Sequence, residues 1–428
     1  MKKYQEMTKE ELLEEKTSLE AAYKEIQEKG LKLDMSRGKP AADQLDLSMG
    51  ILDAIDSKTA LVSENGMDLR NYGILDGIPE AKRLIAEMLG CDAENVIVYG
   101  NSSLNIMYDQ ISRAMVFGIC GNTPWMKQEK IKFLCPVPGY DRHFAITESF
   151  GIEMINVPLL EDGPDMDMVE ELVSSDPTIK GIWCVPKYSN PSGVTYSDET
   201  VIRFAHLKPA APDFRIFWDN AYCVHHLYAD RQDVILNINE QCALAGNPDL
   251  VYEFCSTSKV TFPGAGIAAL ATSANNAADI RKHLSIQTIG FDKTNQRRHV
   301  VYFKNFDGIK QHMLSLAQLI RPKFEIVDKY LTNEVGSRGI GNWKKPIGGY
   351  FICFEGLEGT AKEIVAKCKE AGVILTAAGA PFPYGKDPKD SVIRIAPTYP
   401  TLAELEEAVQ VFTTVVRLVS VNKLLAEK

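Results

Sequence analysis

From about Ile51 to residue 300, short apolar runs that stop abruptly at turn residues alternate with longer stretches of helical periodicity, and this rhythm constrains the fold more than any other feature of the chain. Val96-Ile97-Val98-Tyr99 stops at Gly100, Ile131-Lys132-Phe133-Leu134 soon meets Pro136, and Gly181-Ile182-Trp183-Cys184-Val185 meets Pro186. Arg215-Ile216-Phe217-Trp218 runs into Asp219, and Leu250-Val251-Tyr252-Glu253-Phe254 into Cys255-Ser256. Strands alternating with helices form βαβ units, and their near-continuous hydrophobicity fits a mostly parallel sheet covered on both faces. Such sheets bind ligands beyond the carboxyl ends of their strands. The residues that follow each apolar run are therefore where chemistry is to be sought.

A chain of 428 residues exceeds the roughly 250–300 that one core can serve, so two domains are expected. Residues 306–331 are helical in pattern; a strand pattern at 349–354, a helix at 360–371, strands at 373–375 and 391–395 and a closing helix follow. This part reads as a smaller α+β module. The charged first 30 residues carry Leu12, Leu13, Leu19 and Ile26 at roughly helical spacing, with Gly30 placed to end the helix. The expected division is an arm with part of the small domain at 1–48, a large domain at 49–305 and the rest of the small domain at 306–428.

Composition narrows the function classes. A net charge of −10 disfavours nucleic acid or an anionic membrane surface as a partner. Nine cysteines, with no C-x-x-C pair, read as free thiols of a reducing compartment, not as a disulfide framework or zinc site. The adjacent His225 and His226 lack further ligands nearby, so no metal is expected. The opening MKKYQEMTKEELLEEK has no apolar signal core and no stretch offers ~18 consecutive apolar residues, so the expected location is the cytoplasm.

Four strand ends and one interior arginine carry the chemistry. Gly100-Asn101-Ser102-Ser103 lies between a strand and a helical pattern, where unpaired N–H groups make an anion site; the same serines also fit plain N-capping. Asp219-Asn220-Ala221-Tyr222 places a carboxylate where it can keep a pyridine nitrogen protonated, with Tyr222 in reach of that ring's phenolic oxygen; an Asp-Asn turn is the plainer reading. Ser256-Thr257-Ser258-Lys259 offers phosphate-binding hydroxyls around a cofactor-bearing amine, although most single lysines are surface residues. Asn190-Pro191-Ser192-Gly193 supplies an amide side chain or simply a β-turn. Arg394, inside Val392-Ile393-Arg394-Ile395, must find an anion, either a substrate carboxylate that matches its fork or an internal acid.

Taken in this order, the segments resemble the fold-type I aminotransferases of the class I/II superfamily, which use pyridoxal 5'-phosphate (PLP), across nearly the whole chain. S-R-G-K-P at 36–40, G-N-S-S-L at 100–104, P-V-P-G-Y-D-R-H-F at 136–144 and S-T-S-K at 256–259 match an aspartate aminotransferase subgroup. The resemblance implies an α/β PLP-dependent transferase fold: a mostly parallel seven-stranded sheet between helices, with a smaller α+β domain. It implies a catalytic set of Lys259, Asp219 and Tyr222. Lys259 is the Schiff-base lysine and proton carrier, Asp219 pairs with the pyridine nitrogen, and Asn190 and Tyr222 hold the ring oxygen. Ser102, Ser103, Ser256 and Ser258 would serve the phosphate, Asn101 would be a further cofactor contact, and Tyr140 would stack on the ring. Tyr72 reaches the phosphate of a neighbouring subunit, which implies a homodimer. Arg394, Gly38 and Asn190 receive the substrate carboxylate.

The implied reaction moves an amino group from an L-amino acid, aspartate first, to 2-oxoglutarate. Donors such as alanine, aromatic residues or aminoadipate, and a PLP-dependent lyase, remain open. One departure stands out: many relatives continue P-G-x-R-x-G after the lysine, whereas Pro263-Gly264-Ala265-Gly266-Ile267 has glycine in place of the phosphate-neutralising arginine. Arg297 is a candidate for the missing charge. Arg37, Lys39, Arg297 and Arg298 are unranked candidates for a second substrate carboxylate. A nicotinamide site at Gly264-Ala265-Gly266-Ile267-Ala268-Ala269 fails its context, since Val260-Thr261-Phe262-Pro263 is no proper strand and Arg281-Lys282 stands where an acid belongs. A transcription regulator of the same fold needs a DNA-binding module ahead of it, for which about 45 acidic-biased residues leave little room.

Overall fold

The computed structural model describes residues 2–428. Its large sheet runs, in spatial order, Val96–Val98, Ala268–Thr272, Val251–Ser256, Arg215–Asp219, Ile179–Cys184, Lys132–Val137, Glu153–Leu160, Gly163–Pro164. The strands from Val251–Ser256 to Glu153–Leu160 pair in parallel. Ala268–Thr272 runs antiparallel to both of its neighbours, which leaves Val96–Val98 pointing the same way as the parallel set. Seven strands were expected from the sequence and there are eight. The extra one, Gly163–Pro164, is a two-residue antiparallel return against the outer end of Glu153–Leu160, too short to leave a hydrophobic pattern.

Burial explains the sequence signal. Every residue of Ile179–Cys184 and Arg215–Asp219 is buried, as the middle of a doubly covered sheet requires, whereas exposed and covered positions mix along the outer Glu153–Leu160. At the carboxyl end of Val96–Val98, Gly100 adopts φ +71°, the left-handed turn that aims the chain into helix Ser103–Phe117. Helix Asp141–Ser149 likewise follows Lys132–Val137.

A second, antiparallel sheet consists of Gly341–Trp343, Ile352–Gly356 and Val392–Ile395. Leu33–Asp34 pairs in parallel with Val373–Ile374, which ties the first residues of the chain to its last third. Helix Lys9–Glu28 starts at a Thr8/Glu11 capping box and buries Leu12 and Leu19, while Leu13 stays exposed. It packs on Leu402–Glu427, which also contacts Phe306–Glu334. By composition Leu402–Glu427 is long and apolar enough to cross a bilayer, although charged residues such as Arg417 interrupt its apolar run. In this fold it is a core helix, with Val411, Phe412, Val415, Val416 and Val419 buried.

One buried ion pair braces the sheet. Lys180 Nζ donates to Asp213 Oδ1 at 2.7 Å, and the Trp125 indole donates to Asp213 Oδ2 at 2.9 Å. Asp213→Ala strands a buried ammonium and is expected to lower the unfolding free energy by about 3–5 kcal/mol. Urea denaturation measures it, and a loss below 1 kcal/mol would show that Lys180 finds another acceptor.

Candidate active site

The carboxyl ends of the parallel strands bring the predicted residues together. Asp219 is the last residue of its strand and is buried. Its Oδ2 lies 3.0 Å from His143 Nε2, while its Oδ1 is buried without a partner among the described residues. His143 is itself immobilised: its ring stacks on Trp183 at 4.5 Å and meets the Tyr140 ring edge-on at 4.9 Å. Asn220 turns away, donating to Glu253 at 3.0 Å. A carboxylate clamped on one oxygen and unserved on the other is set for a ligand's donor, because a buried acceptor without a partner is costly.

Lys259 lies just beyond Val251–Ser256. Its Nζ sits 4.9 Å from the Tyr222 ring centre and 6.0 Å from that of Tyr350. These surroundings lower the lysine pKa through burial, against an opposing pull from the Asp219 charge. Burial also pushes the Tyr222 phenol well above its ordinary value, and Tyr350 lies against it, rings 6.2 Å apart, with a buried hydroxyl that has no partner. His225 supports the lysine from below: Nε2 is 3.3 Å from the Lys259 carbonyl oxygen, and burial depresses its pKa to about 3. It is therefore a neutral donor. His226 points elsewhere, to the Tyr188 hydroxyl at 2.7 Å.

On the other side of Lys259, hydroxyls gather. Ser256 Oγ bonds Ser258 Oγ at 3.0 Å, Ser258 Oγ donates to the Asn101 carbonyl at 3.2 Å, and the Asn101 amide donates to Gly264 O at 2.9 Å. These contacts lash the two strand ends into one rim. Ser102 occupies the N-cap of helix Ser103–Phe117, yet its side chain makes no capping bond, so plain capping does not account for it. The helix N-terminus keeps its free N–H groups and positive dipole.

The glycine at 266 has a steric reason. A Cβ there would come within 2.8 Å of Thr257 Oγ1, which already accepts from Ile267 N at 2.9 Å. Asn295 closes the same turn, its amide reaching Ala265 O and Gly266 O at 3.1 and 2.8 Å. Arg297, a candidate for the missing charge, has its Nη1 on buried Glu80 at 3.2 Å, while its buried Nε has no partner among the described residues. Arg298 bonds Asn295 at 2.5 Å. Tyr72 also stands apart, with 77% of its surface exposed and no side-chain bond to the cluster.

Arg394 enters from the small sheet. Its Nη1 lies 2.6 Å from Asp141 Oδ1 and 3.4 Å from Asn190 Oδ1, its Nε is 3.4 Å from Thr376 Oγ1, and the guanidinium lies 5.0 Å from the Phe351 ring centre. Phe351 in turn presses on Gly38, where a Cβ would come within 2.4 Å of the ring. The internal acid expected for this arginine is Asp141, and the same guanidinium lies beside the predicted site residue Asn190. His143, Asp141, Thr376, Tyr350, Phe351 and His225 were not anticipated. His143 had a signal, three residues after Tyr140 and so on the same helix face.

Residues 7–428 match a family model described as aspartate amino-transferase. The chain belongs to the aspartate aminotransferase family. An aspartate aminotransferase of Corynebacterium glutamicum is 44% identical over 92% of this chain and 91% of its own. The crystal structure of an aspartate transaminase from Corynebacterium glutamicum superposes with a TM-score of 0.96 at 42% identity, covering 99% of each chain. An α-aminoadipate aminotransferase of Thermus thermophilus, solved with N-(5'-phosphopyridoxyl)-L-leucine, shares the fold at 19% identity and a TM-score of 0.73, over 93% of this chain and 94% of its own. The protein is an aminotransferase with the α/β fold of the PLP-dependent enzymes.

This aminotransferase keeps a buried acid directly behind its site. Glu253 accepts from Asn220 at 3.0 Å and Asn239 at 2.7 Å, and burial raises its pKa to about 7. A folded-state pKa above the unfolded one contributes stability at low pH that is lost as pH climbs through about 7. Glu253→Gln is expected to remove that loss, so its stability relative to wild type should improve by about 3 kcal/mol between pH 5 and pH 8.5. Urea unfolding at the two pH values measures it; an unchanged difference would mean that Glu253 stays ionised throughout.

Proposed function

We propose that this aminotransferase moves the amino group of L-aspartate to 2-oxoglutarate, using PLP held covalently by Lys259. The observation that carries the reading is Asp219, fixed through Oδ2 by His143 and buried at Oδ1 without a donor. A protonated pyridine nitrogen supplies that donor. The remaining residues fit the same group: Tyr140 for its face, Asn190 and Tyr222 for its ring oxygen, and Asn101, Ser102, Ser103, Ser256 and Ser258 at a helix N-terminus for its phosphate. Bound PLP supplies an electron sink for the substrate carbanion and carries the amino group between half-reactions.

The chain's own residues do the rest. Lys259, its ammonium form disfavoured by burial, takes the proton from the substrate α-carbon and returns it to the cofactor side. Tyr222 and Tyr350 wall the amine from water, and His225 holds its backbone. Arg394, with Asn190 and Gly38 alongside, takes the α-carboxylate. For the second carboxylate, Arg297 is engaged by Glu80, Arg298 by Asn295, and Lys39 Nζ lies 3.7 Å from the Tyr399 ring centre. Arg37, exposed next to Gly38 and free of ion pairs among the described residues, is our assignment.

A homodimer completes the site in this reading. Tyr72 is exposed together with Val62, Met67, Ile286 and Ile289, and Gly290 packs against Gly73, joining the two segments into one apolar face. Such a face around an unused tyrosine supports a second copy whose phosphate Tyr72 reaches. The proposed partners are otherwise small amino and oxo acids, with no nucleic acid or membrane, in the cytoplasm. The proposed division at 1–48, 49–305 and 306–428 is supported by the pairing of Leu33–Asp34 with Val373–Ile374.

The test is the absorption spectrum of the PLP-loaded enzyme during addition of aspartate, glutamate, alanine or kynurenine. Conversion to the pyridoxamine form by aspartate and glutamate alone is expected. Conversion by alanine or kynurenine but not by aspartate would overturn the assignment.

A further inference from the structure

We infer that Asp141 is a displaceable internal ligand of Arg394: it occupies the guanidinium in the free enzyme, yields to the substrate α-carboxylate, and thereby sets which carboxylates bind. The inference rests on the proposed role of Arg394 as the carboxylate anchor.

The two side chains differ in freedom. Arg394 is 7% exposed and is held by its strand pairing to Cys353, by Thr376 and Asn190, and by the Phe351 ring. Asp141 is 32% exposed and is the first residue of helix Asp141–Ser149. If the pair opens, the arginine stays and the aspartate moves. Asp141 has somewhere to go, because a carboxylate released at a helix N-terminus meets the positive end of the dipole and water.

The contact is also incomplete. Only Oδ1 of Asp141 is engaged, and only by Nη1. An incoming carboxylate can form two parallel bonds to the fork, which is the stronger arrangement. An anion that reaches a single N–H has no such advantage over Asp141. The pair thus spares the free enzyme a bare buried guanidinium while subtracting from the affinity of every ligand that must displace it. Asp141 is in this sense a specificity-determining residue acting through Arg394.

The experiment titrates maleate, a dicarboxylate with no amino group, into PLP-loaded wild type, Asp141→Asn, Asp141→Ser, Arg394→Leu and the Asp141→Asn/Arg394→Leu double variant by calorimetry. Both Asp141 variants should bind about ten-fold more tightly than wild type, a gain that loss of a purely structural contact cannot produce. Arg394→Leu should bind about a hundred-fold more weakly, and Asp141→Asn should add nothing in that background. If Arg394→Leu loses binding but neither Asp141 variant gains, the inference is overturned and the anchor stands. If Arg394→Leu binds as wild type does, the anchor reading itself fails. The cofactor absorbance of each variant reports that the site is intact, and the serine variant serves if the asparagine variant does not fold.

Discussion

Lys259→Ala should fold, bind maleate and yet turn over aspartate and 2-oxoglutarate at least about 10⁴-fold more slowly than wild type. The size follows from two losses at once. Proton transfer by a positioned base is worth 10²–10⁴-fold alone, and in the proposed reaction removing the amine also removes the covalent hold on the cofactor. Stability should change by less than about 1 kcal/mol, since Nζ has only the faces of Tyr222 and Tyr350 beside it and no ion pair to break. Steady-state kinetics and urea denaturation on the same preparation separate the two quantities. A turnover loss below ten-fold would remove Lys259 from the chemistry.

Asp219→Asn should lower kcat by about 10²–10⁴-fold, the range expected for losing a buried charge partner worth 3–5 kcal/mol. An amide fills the same space and can still bond His143, but it cannot hold a proton on a pyridine nitrogen. KM for aspartate should move far less, because in the proposed arrangement Asp219, held by His143, meets the cofactor, and Arg394, beside Asn190, meets the substrate. The affinity for PLP should also fall, measured by fluorescence titration. A variant with near-normal kcat across the pH range would show that the unserved Oδ1 has another purpose.

The strand ends were legible in the sequence because one physical rule covers them. Buried parallel strands are long apolar runs, and whatever follows them faces the ligand edge, so Ser102, Asn190, Asp219 and Lys259 could be chosen without coordinates. Gly163–Pro164 was not legible, since two residues carry no periodicity. Residues that act on other side chains were missed for a different reason. His143 matters because its helix face meets Asp219, and His225 because it lies under the Lys259 carbonyl; neither fact is local in sequence. Arg394 was left between an internal acid and a substrate, and the fold supplies the acid, Asp141, from 253 residues away. The partner of Arg297 was equally illegible, since buried Glu80 reaches its Nη1 from a distant helix.

In the proposed reaction Lys259 carries the cofactor. Reducing the PLP-loaded enzyme with borohydride, digesting it and locating the pyridoxyl group by mass spectrometry tests this directly. The peptide containing Lys259 should carry the group in stoichiometric yield. Label on another buried lysine of lowered pKa, such as Lys187, whose Nζ donates to the Cys223 carbonyl at 3.0 Å, or cofactor released unattached after reduction, would contradict it.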